Sequence, residues 1–325
     1  MRLTAYENGK AVLEKAEKPA CGQGEVLLRV KACGICGSDI PRVLNGKAYY
    51  YPIVVGHEFS GIVEEARDEN WIGKRACVFP ILPCKTCEYC QKGQYANCID
   101  YNYYGSRRDG GLQEHIAIKE ENLVPLPESV SYEAGAMIEP LAVCLHAVKK
   151  AEIRQGDTVV IYGAGTIGLL CGAWAKDFGA GTVYFVDIDE NKLAFAETLG
   201  FRRYDGEGVQ VAIEASGAGA CLNQAINALQ PFGRLVIVGN PSRDMTLKQA
   251  NYGQILRKQL RIEGSWNSDF SQESNDWKES VQAVAEKRII PERLITHTVP
   301  FAQSEDAFAI ARNGEFYNKI MVVME

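Results

Sequence analysis

The sequence predicts an α/β chain in which a doubly wound parallel-sheet domain is joined to a β-rich domain. Three observations predict it. The chain has 325 residues, too long for one ordinary domain and suited to two. Its first ~145 residues are short apolar runs broken by Gly, Pro and Asn, the pattern of short strands and frequent turns. From about residue 148 strand-like and helix-like segments alternate, which implies parallel strands with helices on both faces.

In the N-terminal part the strand-like runs are EVLLRVKA (25–32), IVVGHEFSGIVEEA (53–66) and LQEHIAIKEENLVPLP (112–127). DTVVIY (157–162) then reads as a buried strand, and GAGTIGLLCGAWAKDFGA as a helix with a glycine-rich start. TVYFVDID (182–189) is a second strand, followed by a helix from about Glu190 to Leu199. VQVAIEASG (209–217), a helix around 219–229 and GRLVIVGN (233–240) continue the alternation. FRRYDGEGVQ leaves little room for another strand plus helix, so the sheet is expected to be trimmed there. A helix over 276–287 and a strand at KIMVVME (319–325) end the chain. The expected domains are 1–147 with 289–325, and 148–288.

Composition narrows the function classes. Hydrophobic residues at 46% and charged residues at 23% describe an ordinary globular chain. A net charge of -6 argues against bulk nucleic-acid binding but leaves room for a local basic pocket. No apolar run reaches the roughly 18 residues of a membrane span. The N-terminus lacks a signal-type apolar core, so the cytoplasm is the expected location. Four of the eleven cysteines crowd between Cys84 and Cys98. In a reducing compartment such clustering points to metal thiolates rather than disulfides.

Gly163-Ala164-Gly165-Thr166-Ile167-Gly168 is a GxGxxG run between a strand and a helix. Gly163 permits the tight turn, Gly165 lets the backbone approach a pyrophosphate, and Gly168 lets helix and strand pack closely. The helix start then offers free N–H groups to phosphate. Alone, the run could be a glycine-rich turn. Asp187, 19 residues after Gly168 at the end of the next strand, is where a carboxylate receives ribose hydroxyls. It should repel a 2′-phosphate, which favours NAD over NADP. Lys192 completes the expected cofactor-binding set. Arg202 and Arg203 temper the NAD preference, or belong to a solvated loop.

Cys84, Cys87, Cys90 and Cys98 stand as C-x2-C-x2-C-x7-C. Four thiolates close a tetrahedral shell around zinc and leave no position for substrate, so such a site is structural. Its net negative charge could be offset by Lys85 and Lys92. An iron–sulfur cluster uses the same ligands, and spacing alone leaves that alternative open. A dispersed set, Cys36, His57, Glu58 and Glu139, combines thiolate, imidazole and carboxylates. This mixture suits a zinc ion with an exchangeable position, and Cys36 with Glu139 would neutralise its charge. Singly, each has a plainer reading: a small core cysteine, a satisfied core histidine, a carboxylate at a helix start.

CGICGSD (33–39), GHEFSG (56–61), the four-cysteine lobe, EPLAVCLHA (139–147) and GAGTIGLL (163–170) together resemble the medium-chain zinc-dependent alcohol dehydrogenase superfamily. The resemblance covers nearly the whole chain in order. It implies a GroES-like catalytic domain plus a Rossmann domain, and two zinc ions per subunit, one catalytic and one structural. Cys36 and His57 are implied as catalytic-zinc ligands, with Glu58 either on the metal or just outside it. Glu139 stands where liver-type members have a second cysteine, as in the polyol-dehydrogenase branch. Ser38 is implied to take the substrate's proton. Liver-type enzymes end that relay in a histidine three residues on, where this chain has Pro41. Asp39 is expected to orient His57. Homodimers or homotetramers are implied.

The stretches CGSDIPR, YYPIVVGHEFSG, GSRRDGG, ILRKQL and GSW resemble family members that act on polyol phosphates. A phosphomonoester needs planar, multidentate cations. Arg42, Arg107 and Arg108 are the candidates, with Tyr49 and Tyr50 as further donors; surface, cofactor or subunit contacts are the plainer alternative. Rival readings are a sorbitol-, xylitol- or threonine-type dehydrogenase, a non-catalytic NAD-binding sensor, and a zinc-free quinone reductase. The last two are disfavoured because every required residue type is present.

Overall fold

The computed structural model describes every residue except Ser242. The chain forms two compact units, Met1–Glu139 with Asp269–Glu325, and Pro140–Ser268.

The first unit begins with β1 (Arg2–Ala5) and β2 (Ala11–Glu14), which form a small antiparallel sheet that β4 completes. The long β3 (Glu25–Ile35) leads into α1 (Asp39–Leu44), then β4 (Ile53–Val54), β5 (Glu58–Glu65) and β6 (Arg75–Val78). The cysteine lobe holds β7 (Ile81–Leu82), α2 (Glu88–Gln91) and β8 (Asn102–Tyr103). β9 (His115–Lys119), β10 (Leu123–Pro125) and α3 (Tyr132–Ala136) follow. β3 pairs with both β5 and β9, and eight of its eleven residues are buried.

The second unit starts within α4 (Ile138–Ala151) and continues β11 (Thr158–Tyr162), α5 (Thr166–Asp177), β12 (Thr182–Val186), α6 (Glu190–Thr198) and β13 (Arg202–Arg203). β14 (Val209–Glu214), α7 (Gly219–Ala228), β15 (Leu229–Ile237), α8 (Gln249–Lys258) and β16 (Arg261–Gly264) complete it. All pairings are parallel, in the order β13-β12-β11-β14-β15-β16. The expected trimming takes the form of a two-residue edge strand, β13, with no helix between it and β14 among the described residues. No helix of the described residues is long and apolar enough to cross a membrane.

The chain then returns to the first unit with α9 (Asp276–Ala285), β17 (Ile295–Pro300), α10 (Ser304–Asn313) and β18 (Lys319–Val323). β18 pairs antiparallel with β3, and β17 lies parallel beyond it. The unit boundaries differ from the expected 147/148 and 288/289, for packing reasons. The Trp174 indole donates to the Leu141 carbonyl at 2.9 Å, which ties α4 to α5. Trp277 of α9 meets Phe79 edge-on at 5.6 Å, and Phe270 stacks on Phe79 at 4.3 Å. Burying these rings holds 269–285 in the first unit, although strand–helix alternation alone would leave the segment in the second.

Candidate functional site

Strand register assembles the dispersed residues. Gly34 of β3 lies opposite Glu58 of β5, so Cys36, just beyond β3, meets His57 and Glu58 at the start of β5. One ligand atom from each of Cys36, His57 and Glu58 lies within 4.8 Å of the others. The chain turns at Cys36 into α1, with Ser38 at the N-cap position and Asp39 as the first helical residue. The Ser38 hydroxyl sits 3.3 Å from the Cys36 sulfur. Asp39 is fully buried; its Oδ2 accepts the Cys36 N–H at 3.1 Å, and its Oδ1 lies 3.5 Å from His57 Nδ1. Burial raises the Asp39 carboxyl, but the His57 charge and hydrogen bond, then Arg42, bring it below its usual range. Burial works against a charged His57, yet Asp39 and Cys36 hold its pKa well above the usual imidazole value. With Nδ1 on the Asp39 side, Nε2 is the nitrogen left to face a metal, the usual division of roles for a ligand imidazole.

Two residues that sequence reasoning did not single out, the buried Lys319 and the half-buried Tyr103, complete the centre. Lys319, at the start of β18, reaches both Glu58 oxygens at 2.9 and 2.6 Å and the Ile35 carbonyl at 3.3 Å. It arrives there because Ile320 pairs with Ile35, which sets its neighbour beside Cys36. The one signal in the sequence is a charged residue heading an otherwise apolar strand. Tyr103 approaches His57 edge-on at 5.6 Å and donates to Glu139 Oε1 at 3.2 Å. Glu139 is buried, and its carboxyl is pushed up to about 7, chiefly by desolvation, with the His57 charge opposing and the Glu58 charge adding. Glu139 shares this electrostatic neighbourhood, but the close three-atom set does not include it.

The four lobe cysteines converge, with sulfurs within 4.8 Å of one another. Cys84 and Cys90 are 3.9 Å apart. A zinc tetrathiolate with ~2.3 Å bonds has sulfurs about 3.8 Å apart, whereas a disulfide needs about 2.05 Å. The donor set therefore fits a tetrahedral metal. Hydrogen bonds from Thr86 draw the Cys84 thiol down to about 6, and burial pushes Cys90 up to about 12. Lys85 pairs with Glu121, and Lys92 with Glu88 at 3.8 Å, because carboxylates lie within reach.

In the second unit Gly163 has φ +105°, a conformation only glycine adopts readily, as β11 turns toward α5. A Cβ at Gly168 would lie 1.9 Å from the Gly163 carbonyl oxygen, whereas one at Gly165 would meet nothing within 4 Å. The open face at Gly165 and the first turn of α5, with Thr166 and Ile167, fit an approaching pyrophosphate. Asp187, just after β12, accepts the Ala164 N–H at 2.7 Å and the Asp189 N–H at 3.0 Å. Lys192 lies in the first turn of α6. Arg203 is held by Glu190 and Glu197, while Arg202 is exposed on β13.

The three candidate phosphate arginines separate. Arg42 donates to Ser38 Oγ at 2.8 Å and to Asp39 Oδ1 at 3.2 Å. Arg107 lies between the rings of Tyr49 and Tyr101, 4.8 and 4.2 Å from their centres, and donates to the Tyr101 carbonyl at 2.9 Å. Tyr101 in turn meets Tyr103 edge-on at 6.4 Å. Arg108 lies over Tyr104, in a cavity lined by Pro19, Tyr50, Asp109 and Gln113 and by none of Cys36, Ser38 or His57.

Comparison with known proteins agrees with this geometry. Residues 22–128 match the alcohol dehydrogenase GroES-like domain, and residues 166–286 the zinc-binding dehydrogenase family. The chain is 36% identical over 313 residues to galactitol 1-phosphate 5-dehydrogenase of Escherichia coli K12, covering 90% of each sequence. It is 30% identical over 349 residues to sorbitol dehydrogenase of Bacillus subtilis, covering 100% of this chain and 96% of the relative. The crystal structure of galactitol-1-phosphate dehydrogenase from Escherichia coli superposes with a TM-score of 0.93 at 34% identity, covering 99% of each chain.

Proposed function

Because this chain belongs to the zinc-dependent alcohol and polyol dehydrogenase family, an oxidoreductase family, we propose that it oxidises a secondary alcohol of a polyol phosphate with NAD. The proposed reaction converts galactitol 1-phosphate to tagatose 6-phosphate. Convergence of Cys36, His57 and Glu58 beside the Ser38 hydroxyl is the observation that carries this reading. Cys36, His57 and Glu58 would hold the catalytic zinc, with Glu139 close by, and the four lobe cysteines the structural zinc. When bound, the catalytic zinc supplies a Lewis acid that lowers the pKa of an alcohol, and NAD supplies the hydride acceptor.

The chain's own residues do the rest. Ser38 receives the substrate proton, and Asp39 fixes the Cys36 backbone and faces His57. Gly163, Gly165, Thr166, Ile167 and Gly168 would cradle the pyrophosphate, with Asp187 on the ribose and Lys192 nearby. NAD is favoured over NADP because Asp187 is a carboxylate and Arg203 is already ion-paired. Among the arginines, Arg107 is best placed as a phosphate contact, because two tyrosine rings hold its guanidinium in one orientation. Arg42 and Arg108 are the secondary candidates. A homodimer or homotetramer is proposed from the family, and the cytoplasm from eleven cysteines of which none among the described residues is joined in a disulfide. Similarity to sorbitol dehydrogenase keeps an unphosphorylated polyol as the second reading.

The test follows reduced-cofactor absorbance of zinc-loaded protein with NAD on galactitol 1-phosphate, free galactitol, sorbitol and threonine. Preference for the phosphate ester is expected, together with loss of activity and of one zinc equivalent in Cys36→Ala. Equal or better turnover of a free polyol or threonine would refute the phosphate assignment. Near-normal turnover by Cys36→Ala would refute the zinc scheme.

A further inference from the structure

We infer that Arg42 is a positioning residue for the reaction, fixing the direction in which the Ser38 hydroxyl faces the reacting oxygen. The inference rests on the proposed dehydrogenase reading, and four observations carry it. The Arg42 guanidinium donates to Ser38 Oγ at 2.8 Å. The same nitrogen donates to Asp39 Oδ1 at 3.2 Å, and Asp39 is completely buried, so the guanidinium is braced from behind. The Arg42 side chain is itself only 18% exposed. Its backbone carbonyl accepts from the Tyr51 hydroxyl, which in turn accepts the Ala48 N–H at 3.0 Å. Arg42 is thus held at both ends.

A serine hydroxyl offers one proton and two lone pairs, and on its own it rotates to suit its surroundings. A guanidinium only donates, so Arg42 must occupy a lone pair of Ser38. That leaves one lone pair and the hydroxyl proton, with Cys36 Sγ 3.3 Å away on the site side. A substrate hydroxyl arriving beside Cys36 therefore meets an oxygen whose acceptor direction is already set. One proton then passes from the alcohol to the free lone pair of Ser38 Oγ, and the proton that Ser38 had donated to Cys36 Sγ is released to water as the hydroxyl turns to its exposed side. Neither Pro41 nor Arg42 can accept that proton. Arg42 contributes orientation where the liver-type pattern has an imidazole acceptor.

The experiment is a double-mutant cycle of Arg42→Met and Ser38→Ala, with Arg42→Lys as the conservative variant. It uses zinc-loaded protein and whichever secondary alcohols the wild type oxidises. Three quantities are read: kcat and KM, zinc content by elemental analysis, and calorimetric affinity of the alcohol for the protein–NADH complex. The expected result is a fall in kcat of about 10- to 100-fold in Arg42→Met, below the roughly 100- to 10,000-fold that a whole positioned proton transfer contributes, because only the orientation of Ser38 is lost. Zinc content and alcohol affinity should stay at wild-type values, and Arg42→Lys should recover most of the rate. In the Ser38→Ala background Arg42→Met should cost nothing further.

A full additional loss in that background would overturn the inference, because Arg42 would then act by another route. Loss of zinc from Arg42→Met would overturn it in favour of a structural role through Asp39. A rise in KM confined to phosphorylated substrates would overturn it in favour of direct anion binding. Failure of the dehydrogenase reading would look different, since the wild type itself would oxidise none of the alcohols.

Discussion

Lys319→Met should destabilise the first unit strongly, and more strongly without zinc than with it. Lys319 and Glu58 are 3% and 2% exposed, and the ammonium lies 2.9 and 2.6 Å from the two carboxylate oxygens. Burial works against the ammonium, but Glu58, Cys36 and Glu139 keep its pKa raised. Removing one partner of such a pair leaves an uncompensated buried charge and costs about 3–5 kcal/mol. For a unit of this size that corresponds to a fall in Tm of about 6–20 °C. A zinc ion held as proposed by Cys36, His57 and Glu58 would face the same carboxylate and offset part of the loss.

Glu58→Gln combined with Lys319→Met removes both charges and should recover stability to within about 1–2 kcal/mol of wild type. The assay is calorimetric melting of wild type, both single variants and the double variant, zinc-loaded and after chelation. Two results would refute the reasoning. One is a Tm change under about 2 °C for Lys319→Met in the chelated protein. The other is a double variant less stable than Lys319→Met alone.

Gly168→Ala should lower Tm and weaken NAD binding at least about tenfold. Its Cβ would lie 1.9 Å from the Gly163 carbonyl, and relieving such overpacking typically costs about 1–3 kcal/mol by displacing backbone. Calorimetric melting and NAD titration check both effects. Glu14 accepts from Thr4, Tyr6 and Arg2 at 2.7, 2.9 and 2.9 Å, and the Thr4 hydrogen bond leads in lowering its pKa. A depressed folded-state pKa stabilises above the unfolded value of about 4.3 and is lost as pH falls through the folded value. Melting across pH 7 to 3 should therefore show Glu14→Gln less stable than wild type at neutral pH, with the gap closing in acid.

Much of the chemistry is local and could be read directly from the sequence. A C-x2-C-x2-C-x7-C run places four thiols on one short lobe, and a GxGxxG turn between a strand and a helix needs few distant contacts to take shape. The alternation of strand and helix after residue 157 likewise follows from periodicity along the chain. Arg42, Ser38 and Asp39 share one helical turn, so their proximity was also implicit in their spacing. Tertiary structure decided what depends on register between distant segments. Lys319 reaches Glu58 across 261 positions because β18 pairs with β3 and β3 pairs with β5. The separate placements of Arg107 and Arg108, adjacent in sequence, follow from which tyrosine ring each guanidinium covers. The return of α9 to the first unit follows from the burial of Trp277 against Phe79 and Phe270. Short-range patterns declare which atoms can bind a metal or a phosphate, whereas burial and strand register determine which distant charges face them.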